Sequence, residues 1–161
     1  MPCMKESSAM QTESPTEEAW TSMGRTSLGR RILVIDHDDD LRGILCDRLS
    51  ALGFEVAAAS DSISGLSRIS RDHETTPFHG LLVELHMPIL GGLAVLQEMR
   101  ERFPAVPVIV MSDSIHVAKL RQAMNAGAKE YLVKPFDSEL FRLKCLNVFL
   151  DGREPTGTAP Q

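Results

Sequence analysis

The chain has 161 residues, 43% of them hydrophobic and 24% charged, a composition typical of one soluble domain of about 120 residues with tails. Its net charge of −5 argues against nucleic acid and anionic membranes as partners, because both attract basic surfaces. No apolar run approaches the roughly 18 residues that a membrane-spanning helix requires.

The cysteines and the N-terminus indicate the compartment. Three cysteines, widely spaced and without a Cys-x-x-Cys pair, predict a reducing environment without disulfides. The opening residues MPCMKESSAM lack the apolar core of a secretory signal, so we expect a cytoplasmic protein.

Residues 1–28, rich in Ser, Thr and Glu, predict a disordered tail. Residues 29–150 predict one folded domain, and residues 151–161 a flexible tail.

Apolar runs alternate with segments of helical periodicity from residue 31 onward. The first run, residues 32–35, leads into five residues of which four are acidic, and Asp39 or Asp40 is expected to cap the helix that Gly53 ends. Regular alternation predicts an α/β fold, a doubly wound five-stranded parallel sheet in the order 2-1-3-4-5. The further strands are predicted at 54–58, 81–85, 106–111 and 130–134, and the further helices at 62–71, 96–103, 115–126 and 137–150.

The most informative stretch is residues 78–92, which reads FHGLLVELHMPILGG. Its apolar half suits a buried strand that ends in one acid, Glu84. Pro88 then ends the strand and the two glycines that follow allow a sharp turn. Because ligands bind beyond the carboxyl ends of parallel strands, Glu84 stands where chemistry is expected.

This stretch resembles the third strand and following loop of a response-regulator receiver domain of the CheY-like type. That family reads Asp-x-x-Met-Pro-x-x-x-Gly, and the aspartate becomes phosphorylated; here Glu84 begins the same frame and Gly92 ends it. The resemblance covers residues 30–150 and implies a CheY-like (βα)5 fold and a role in two-component signal transduction.

Four residues match functional positions of the family. The resemblance implies that Asp36 is the first acid of the pair after strand one, and that Ser112 is the hydroxyl after strand four. Lys134, followed by proline, matches the lysine that pairs with the acids. Tyr131 matches the aromatic residue whose rotamer reports the active state.

Three residues depart from the family. Glu84 replaces the phosphoacceptor, His37 replaces the second acid, usually a direct Mg²⁺ ligand, and Asp113 stands where a small residue leaves room for the phosphoryl group. Imidazole suits transition metals better than Mg²⁺, so the resemblance implies no cofactor, or Mg²⁺ held weakly through Asp36.

The changed residues favour a single-domain atypical receiver that acts through protein–protein contacts and is not an enzyme. Glu84 is expected to reach toward Lys134 and Ser112, either as a structural pair or as a partial mimic of the activated state. One alternative is a phosphorylatable, Mg²⁺-dependent receiver served by a histidine kinase. Another is a metal sensor that binds Zn²⁺ or Ni²⁺ through Asp36, His37, Glu84 and His86.

The last helix carries apolar residues around most of its circumference, which predicts a second buried face. In the family, helix 4, strand 5 and helix 5 form the partner or dimer surface. Phe141 and Phe149 are therefore candidates for contact with a protein partner or a second copy. The same pattern also fits a last helix that packs only on its own core, and both interpretations stay open.

Overall fold

The computed structural model describes residues 29–113 and 117–151. The predicted N-terminal tail, residues 1–28, lies outside these ranges, as do residues 152–161 of the predicted C-terminal tail. Strands and helices alternate strictly in the order β1 (Arg31–Ile35), α1 (Asp39–Ala51), β2 (Glu55–Ala59), α2 (Ser62–Asp72), β3 (Gly80–Glu84), α3 (Gly92–Arg102), β4 (Val108–Ser112), α4 (Val117–Asn125), β5 (Glu130–Val133) and α5 (Ser138–Asp151). None of the helices in these ranges is long and apolar enough to cross a membrane.

The five strands form one parallel sheet in the order β2-β1-β3-β4-β5, so the predicted order 2-1-3-4-5 is confirmed. β1, β3 and β4 are buried over almost their whole length, as their continuous apolar runs predict. Since all five strands run the same way, their carboxyl ends meet along one edge of the sheet.

Alternate side chains of the central strands enter two separate cores. On one side, Leu33 and Ile35 of β1 lie in a cluster with residues of α2, α3 and α4. On the other side, Ile32 and Val34 lie in a cluster with residues of α1 and α5. This alternation is the two-residue period of a strand whose faces are both covered by helices.

The first helix begins one residue earlier than the sequence suggested. Asp38, and not Asp39 or Asp40, is the N-cap of α1, and its carboxylate accepts a hydrogen bond from the Leu41 N–H at 3.1 Å. Asp39 and Asp40 occupy the first turn, where acidic side chains favour the positive end of the helix dipole. Gly53 has φ of 101° just after the helix end, the conformation for which it was predicted.

The last helix corrects the prediction that Phe141 and Phe149 form a partner surface. Both side chains are buried, 1% and 0% exposed, in the cluster beneath α1 and α5. Phe149 packs edge-on against Phe54, with ring centroids 6.0 Å apart. The helix is apolar nearly all round because its inner side fills this core, while Leu140 and Leu143 are 41% and 46% exposed on the outside.

Candidate functional site

Four predicted site residues lie together at the carboxyl edge of the sheet. Asp36 directly follows β1, Glu84 and Ser112 are the last residues of β3 and β4, and Lys134 directly follows β5. Asp36, Glu84 and Ser112 are among the few buried polar residues of the described chain, each 1% exposed or less. Burial of this kind requires that the charges be paired.

Lys134 supplies the pairing charge for both carboxylates. Its Nζ lies 3.0 Å from Asp36 Oδ2 and 3.5 Å from Glu84 Oε2, and its side chain is 14% exposed. The peptide bond between Lys134 and Pro135 is cis. The Lys134 backbone N–H donates to the carbonyl of Ser112 at 2.7 Å. The predicted contact between Glu84 and Lys134 is therefore present.

His37 closes the other side of Glu84. Its Nδ1 lies 2.8 Å from Glu84 Oε1, and its backbone N–H donates to the same oxygen at 3.4 Å. The imidazole is 48% exposed, whereas the Glu84 side chain is 1% exposed. His37 thus stands between solvent and the buried carboxylate, with about half of its side chain accessible.

The environment of Glu84 disfavours its ionised form. Burial, followed by the hydrogen bond that the protonated Glu84 donates to the neighbouring Asp36 carboxylate, raises the pKa of Glu84 above its usual range. His37 and Lys134 act in the opposite direction and do not fully offset these two effects. The protonated form of a carboxyl group lacks the anionic oxygen with which a carboxylate attacks.

Two residues that hold Asp36 in place were missed or misjudged from the sequence. Arg42, one turn into α1, donates from Nη1 to the carbonyl of Asp36 at 2.7 Å. The backbone N–H of Asp38 donates to Asp36 Oδ1 at 2.8 Å, while the Asp38 carboxylate caps the helix. Asp38 is therefore not a substitute for the missing second acid. The i, i+3 and i, i+4 spacing of Arg42 from the acidic cluster was the available signal.

The loop after β3 is fixed by close backbone contacts. A Cβ at Gly92 would lie 2.4 Å from the Glu84 carbonyl oxygen, so only glycine permits this approach. Ile89 has φ of 71° and is 94% exposed. The Leu90 N–H donates to the Pro88 carbonyl at 2.8 Å across it, which makes a γ-turn of the rare positive-φ type. Ser62 Oγ donates to the Leu90 carbonyl at 2.8 Å and ties the loop to α2.

The remaining predicted residues surround the site. Asp113 is exposed and lines, with Lys134, a cavity of about 450 Å³ between α1 and the start of α5. Tyr131 packs against the cluster on the α3 and α4 side. Lys144 of α5, which sequence reasoning missed, holds Tyr131 in place: its Nζ lies 4.6 Å from the ring centroid and donates to the Tyr131 carbonyl at 2.6 Å.

The residues at this edge do not fit Mg²⁺, the ion that the family resemblance implies. Mg²⁺ takes oxygen ligands in near-octahedral geometry, but the second acid position holds the imidazole of His37. The oxygens of Asp36 accept hydrogen bonds from the Asp38 backbone N–H and the Lys134 ammonium, and Glu84 Oε1 accepts one from the His37 backbone N–H. Ligand atoms of Asp36, His37 and Glu84 nonetheless lie within 4.8 Å of one another. His86, the fourth residue of the predicted transition-metal set, does not belong to this group.

Known proteins resemble the chain over this same region. The sequence profile of the response regulator receiver domain matches residues 32–145. The probable transcriptional regulator ycf27 of Porphyridium aerugineum is 37% identical over 106 residues, 66% of this chain and 42% of that protein. The transcriptional regulatory protein PrrA of Mycobacterium leprae is 37% identical over 106 residues, 66% of this chain and 44% of that protein. The chain thus spans less than half the length of both relatives.

A solved structure agrees with the fold. The CheY-like response regulator receiver domain protein from Methanospirillum hungatei JF-1 superimposes with a TM-score of 0.72 at 27% identity, covering 81% of this chain and 100% of that one. The profile match, the sheet order and the lysine paired with carboxylates at the edge of the sheet all support the same family. The chain belongs to the response regulator receiver domain family, whose members are the signalling modules of two-component systems.

Proposed function

We propose that this receiver acts through protein–protein contacts and that its output does not depend on phosphorylation by a histidine kinase. The observation that carries the proposal is the position of the Glu84 carboxylate. It is 1% exposed and lies 2.8 Å from His37 and 3.5 Å from Lys134. An acceptor must instead present a free oxygen in line with the incoming phosphorus.

Both oxygens of Glu84 are already engaged. Oε1 faces His37 Nδ1 and Oε2 faces the Lys134 ammonium. The extra methylene of glutamate, compared with the aspartate of the family, carries the carboxylate toward the lysine. In an ordinary receiver, the phosphoryl oxygens are expected to contact this lysine.

Two versions of this proposal differ in what the network does. Glutamate carries less charge and fewer acceptor oxygens than an acyl phosphate, so its mimicry of the activated state is partial. The contacts of Lys134 with Asp36 as well as Glu84 favour a fixed structural network that joins the ends of β1, β3 and β5. We favour this version over a site held in a fully activated state.

The alternative is a phosphorylatable, Mg²⁺-dependent receiver. It is supported by Asp36, Ser112 and Lys134, which match the functional positions of the family. The test is incubation with acetyl phosphate and Mg²⁺, followed by intact mass measurement and amide shifts near Ser112. We expect the wild-type mass to stay unchanged. Addition of about 80 Da to the wild type, and its loss in Glu84→Gln, would contradict the proposal.

Two variants separate the causes of the expected lack of phosphorylation. If the single variant Glu84→Asp is phosphorylated, the extra methylene is what blocks phosphorylation of the wild type. If only the double variant His37→Asp/Glu84→Asp is phosphorylated, the missing second acid contributes as well. The change at the half-exposed His37 removes little packing, whereas Glu84→Asp removes one buried methylene, so a melting curve of each variant serves as the folding control.

The proposed partner surface is the face of α4, β5 and α5, now with Leu140 and Leu143 as its exposed apolar residues on α5. A second copy of the chain or another signalling protein is the expected partner. A histidine kinase is an expected partner only if the chain is the phosphorylatable, Mg²⁺-dependent receiver of the alternative. Leu140→Glu should weaken any self-association seen by sedimentation, while Ile63→Glu on α2 should not. A cytoplasmic location stays a prediction from the cysteine pattern.

A further inference from the structure

We propose that the acidic stretch of the N-terminal segment, residues 13–20, binds to a cluster of arginines at the amino edge of the sheet of the same chain. The arginine cluster consists of Arg31 at the start of β1 and of Arg68 and Arg71 in the last turns of α2. It lies at the opposite end of the strands from the candidate site. The inference goes beyond the proposed function, because it concerns a different surface and its test needs neither a partner nor phosphorylation.

In the arginine cluster, three guanidinium groups surround the single carboxylate of Asp72, the last residue of α2. Asp72 Oδ1 accepts a hydrogen bond from Arg71 Nε at 2.9 Å, and Oδ2 accepts one from Arg31 Nη1 at 3.3 Å. Arg68 Nε lies 3.7 Å from the same Oδ2, close enough for an ion pair but too far for a hydrogen bond. One carboxylate therefore balances only one of three positive charges.

Arg68 is the member of the cluster that most needs a further partner. Its Nε is buried and makes no hydrogen bond with any residue of the described chain. A buried donor without a partner is costly, and a guanidinium has five N–H donors in a geometry that suits carboxylates. The side chains of Arg68 and Arg71 are 36% and 67% exposed, so an incoming carboxylate can reach both.

Neighbouring groups leave this surplus of positive charge in place. Arg102 of α3 donates to Ser70 Oγ of α2 at 3.0 Å, and its own charge is balanced by Glu98 at 3.0 Å. Glu74 is exposed in the loop after α2 and forms no ion pair with the arginine cluster within the described chain. The cluster thus offers two guanidinium charges to an acidic ligand.

The N-terminal segment has the complementary charge and joins the domain beside the cluster. Residues 6–24 contain four glutamates and no lysine or arginine, and Glu17 and Glu18 are adjacent. The described chain begins at Gly29, which has φ of 85° and lies two residues before Arg31 of the cluster. The twelve residues between Glu18 and Arg31 can span about 40 Å when extended, so their length allows a return to the end of α2.

The short tether favours binding within one chain. A single exposed ion pair contributes little in water. Linkage through a short segment, however, gives the acidic stretch an effective concentration in the millimolar range. A second copy offers the same stretch only at the much lower concentration of the protein. Because the contact depends on exposed charges, salt should weaken it.

Trp20 is the only tryptophan of the chain and reports on the acidic stretch, two residues beyond Glu18. The test is acrylamide quenching of its fluorescence in the full chain. At about 20 mM NaCl we expect the wild type to have about half the quenching constant of Arg68→Gln/Arg71→Gln. At about 0.5 M NaCl, where the Debye length is about 4 Å, the two constants should agree. Arg121→Gln, which changes an exposed arginine of α4, should behave like the wild type.

The glutamates provide a second test that leaves the arginine cluster unchanged, even if the arginine variant folds poorly. Glu17→Gln/Glu18→Gln should raise the quenching constant as the arginine variant does, and the combination of both pairs of changes should raise it no further. It should also shift the Nε–Hε NMR signals of Arg68 and Arg71 but not that of the control arginine on α4. Unchanged Arg68 and Arg71 signals would overturn the proposal. Quenching that depends on protein concentration would overturn it too, because a second copy would then supply the acidic stretch.

Discussion

At the scale of single residues, Ile89 combines two unfavourable features beside the candidate site. It has φ of 71° and its side chain is 94% exposed. A β-branched residue in this region of backbone space is strained, and burial does not compensate for it. The Ser62 contact with Leu90 and the approach of Gly92 to Glu84 hold the loop in this shape. Strain fixed in this way is found preferentially at functional sites.

Replacement of Ile89 by glycine should therefore stabilise the protein. Relief of the strain contributes about 1–2 kcal/mol, and the greater freedom of glycine in the unfolded chain offsets part of it, which leaves a gain of about 1 kcal/mol. Urea unfolding measures the change. Ile89→Ala keeps a Cβ in the same conformation and should gain less. A less stable Ile89→Gly protein would show that the side chain makes a favourable contact.

The lowered pKa of His79 predicts how the free energy of unfolding depends on pH. Its Nδ1 accepts a hydrogen bond from the Arg31 N–H at 2.9 Å and continues the pairing of β1 with β3. Burial, then the charges of Arg30 and Arg31, lower the pKa of His79, and Glu55 acts weakly in the opposite direction. The folded state therefore binds fewer protons at this residue than the unfolded state, so its contribution to stability is present above about pH 6.5.

As the pH falls through about 6.5 toward the lower pKa of the folded state, that contribution should be lost. His79→Asn places an amide oxygen where Nδ1 lies and removes the titration. The free energy of unfolding, measured from pH 7.5 to pH 5, should therefore fall more steeply in the wild type than in His79→Asn. Parallel slopes would mean that the Arg31 bond does not depend on the protonation of His79.

At the scale of elements, two helical glycines have opposite roles. Gly43 lies inside α1, and a Cβ there would meet no atom within 4 Å. Gly92 begins α3, and a Cβ there would lie 2.4 Å from the Glu84 carbonyl and 2.8 Å from Leu85 Cα. The first glycine only lowers helix stability, whereas the second allows the helix to approach the strand that carries Glu84.

Gly43→Ala should thus raise the free energy of unfolding by about 0.5–1 kcal/mol, because alanine is the better helix former. Gly92→Ala should lower it by about 2–3 kcal/mol, because rigid backbone atoms have to move. Thermal and urea unfolding of both variants provide the comparison. A tolerated Gly92→Ala would show that α3 can shift away from β3 without loss of stability.

The same elements show which features of the fold could be predicted from the sequence and which could not. Continuous apolar runs and the Gly53 stop predicted the strands and the end of α1, because burial on both faces and a left-handed C-terminus each leave a local pattern. The prediction that Asp39 or Asp40 is the N-cap was wrong, because aspartate is a good cap at any of the positions 38–40 and the path of the chain after β1 determines which one takes this role. The strain at Ile89 had no sequence signal, because isoleucine is a residue that normally avoids it.

At the scale of the whole molecule, the site was predictable where topology alone brings residues together. Parallel strands in the order 2-1-3-4-5 place Asp36, Glu84 and Lys134 at one edge, at or just after the ends of β1, β3 and β5. That Lys134 pairs with the acids was implied by the family resemblance. The contact of His37 with Glu84 and that of Lys144 with Tyr131 depend on side-chain directions, which spacing does not determine. The faces of α5 were likewise undetermined, because apolar residues surround the helix.

A variant of Phe149 tests the corrected view of α5, because this residue connects the last helix to the segments before β1 and β2. Its ring packs on Phe54, its carbonyl accepts a bond from Arg30 at 2.9 Å, and it leaves room only for glycine at position 80 of β3. Phe149→Ala should cost about 3–5 kcal/mol, a large part of the 5–15 kcal/mol typical of a domain. Leu143→Ala, on the exposed side of the same helix, should cost less than about 1 kcal/mol.

Urea unfolding at pH 7.5 followed by circular dichroism measures both variants, and sedimentation at several protein concentrations separates folding from association. If α5 served mainly as a partner surface through its phenylalanines, Phe149→Ala would leave the monomer stable and change only its self-association. We expect the reverse, because the ring is 0% exposed within a single chain and its removal leaves a cavity beside Phe54 and Gly80 of β3. The inner residues of α5 then hold the sheet that carries Asp36 and Glu84, and only its outer residues remain available for the partner surface that we propose.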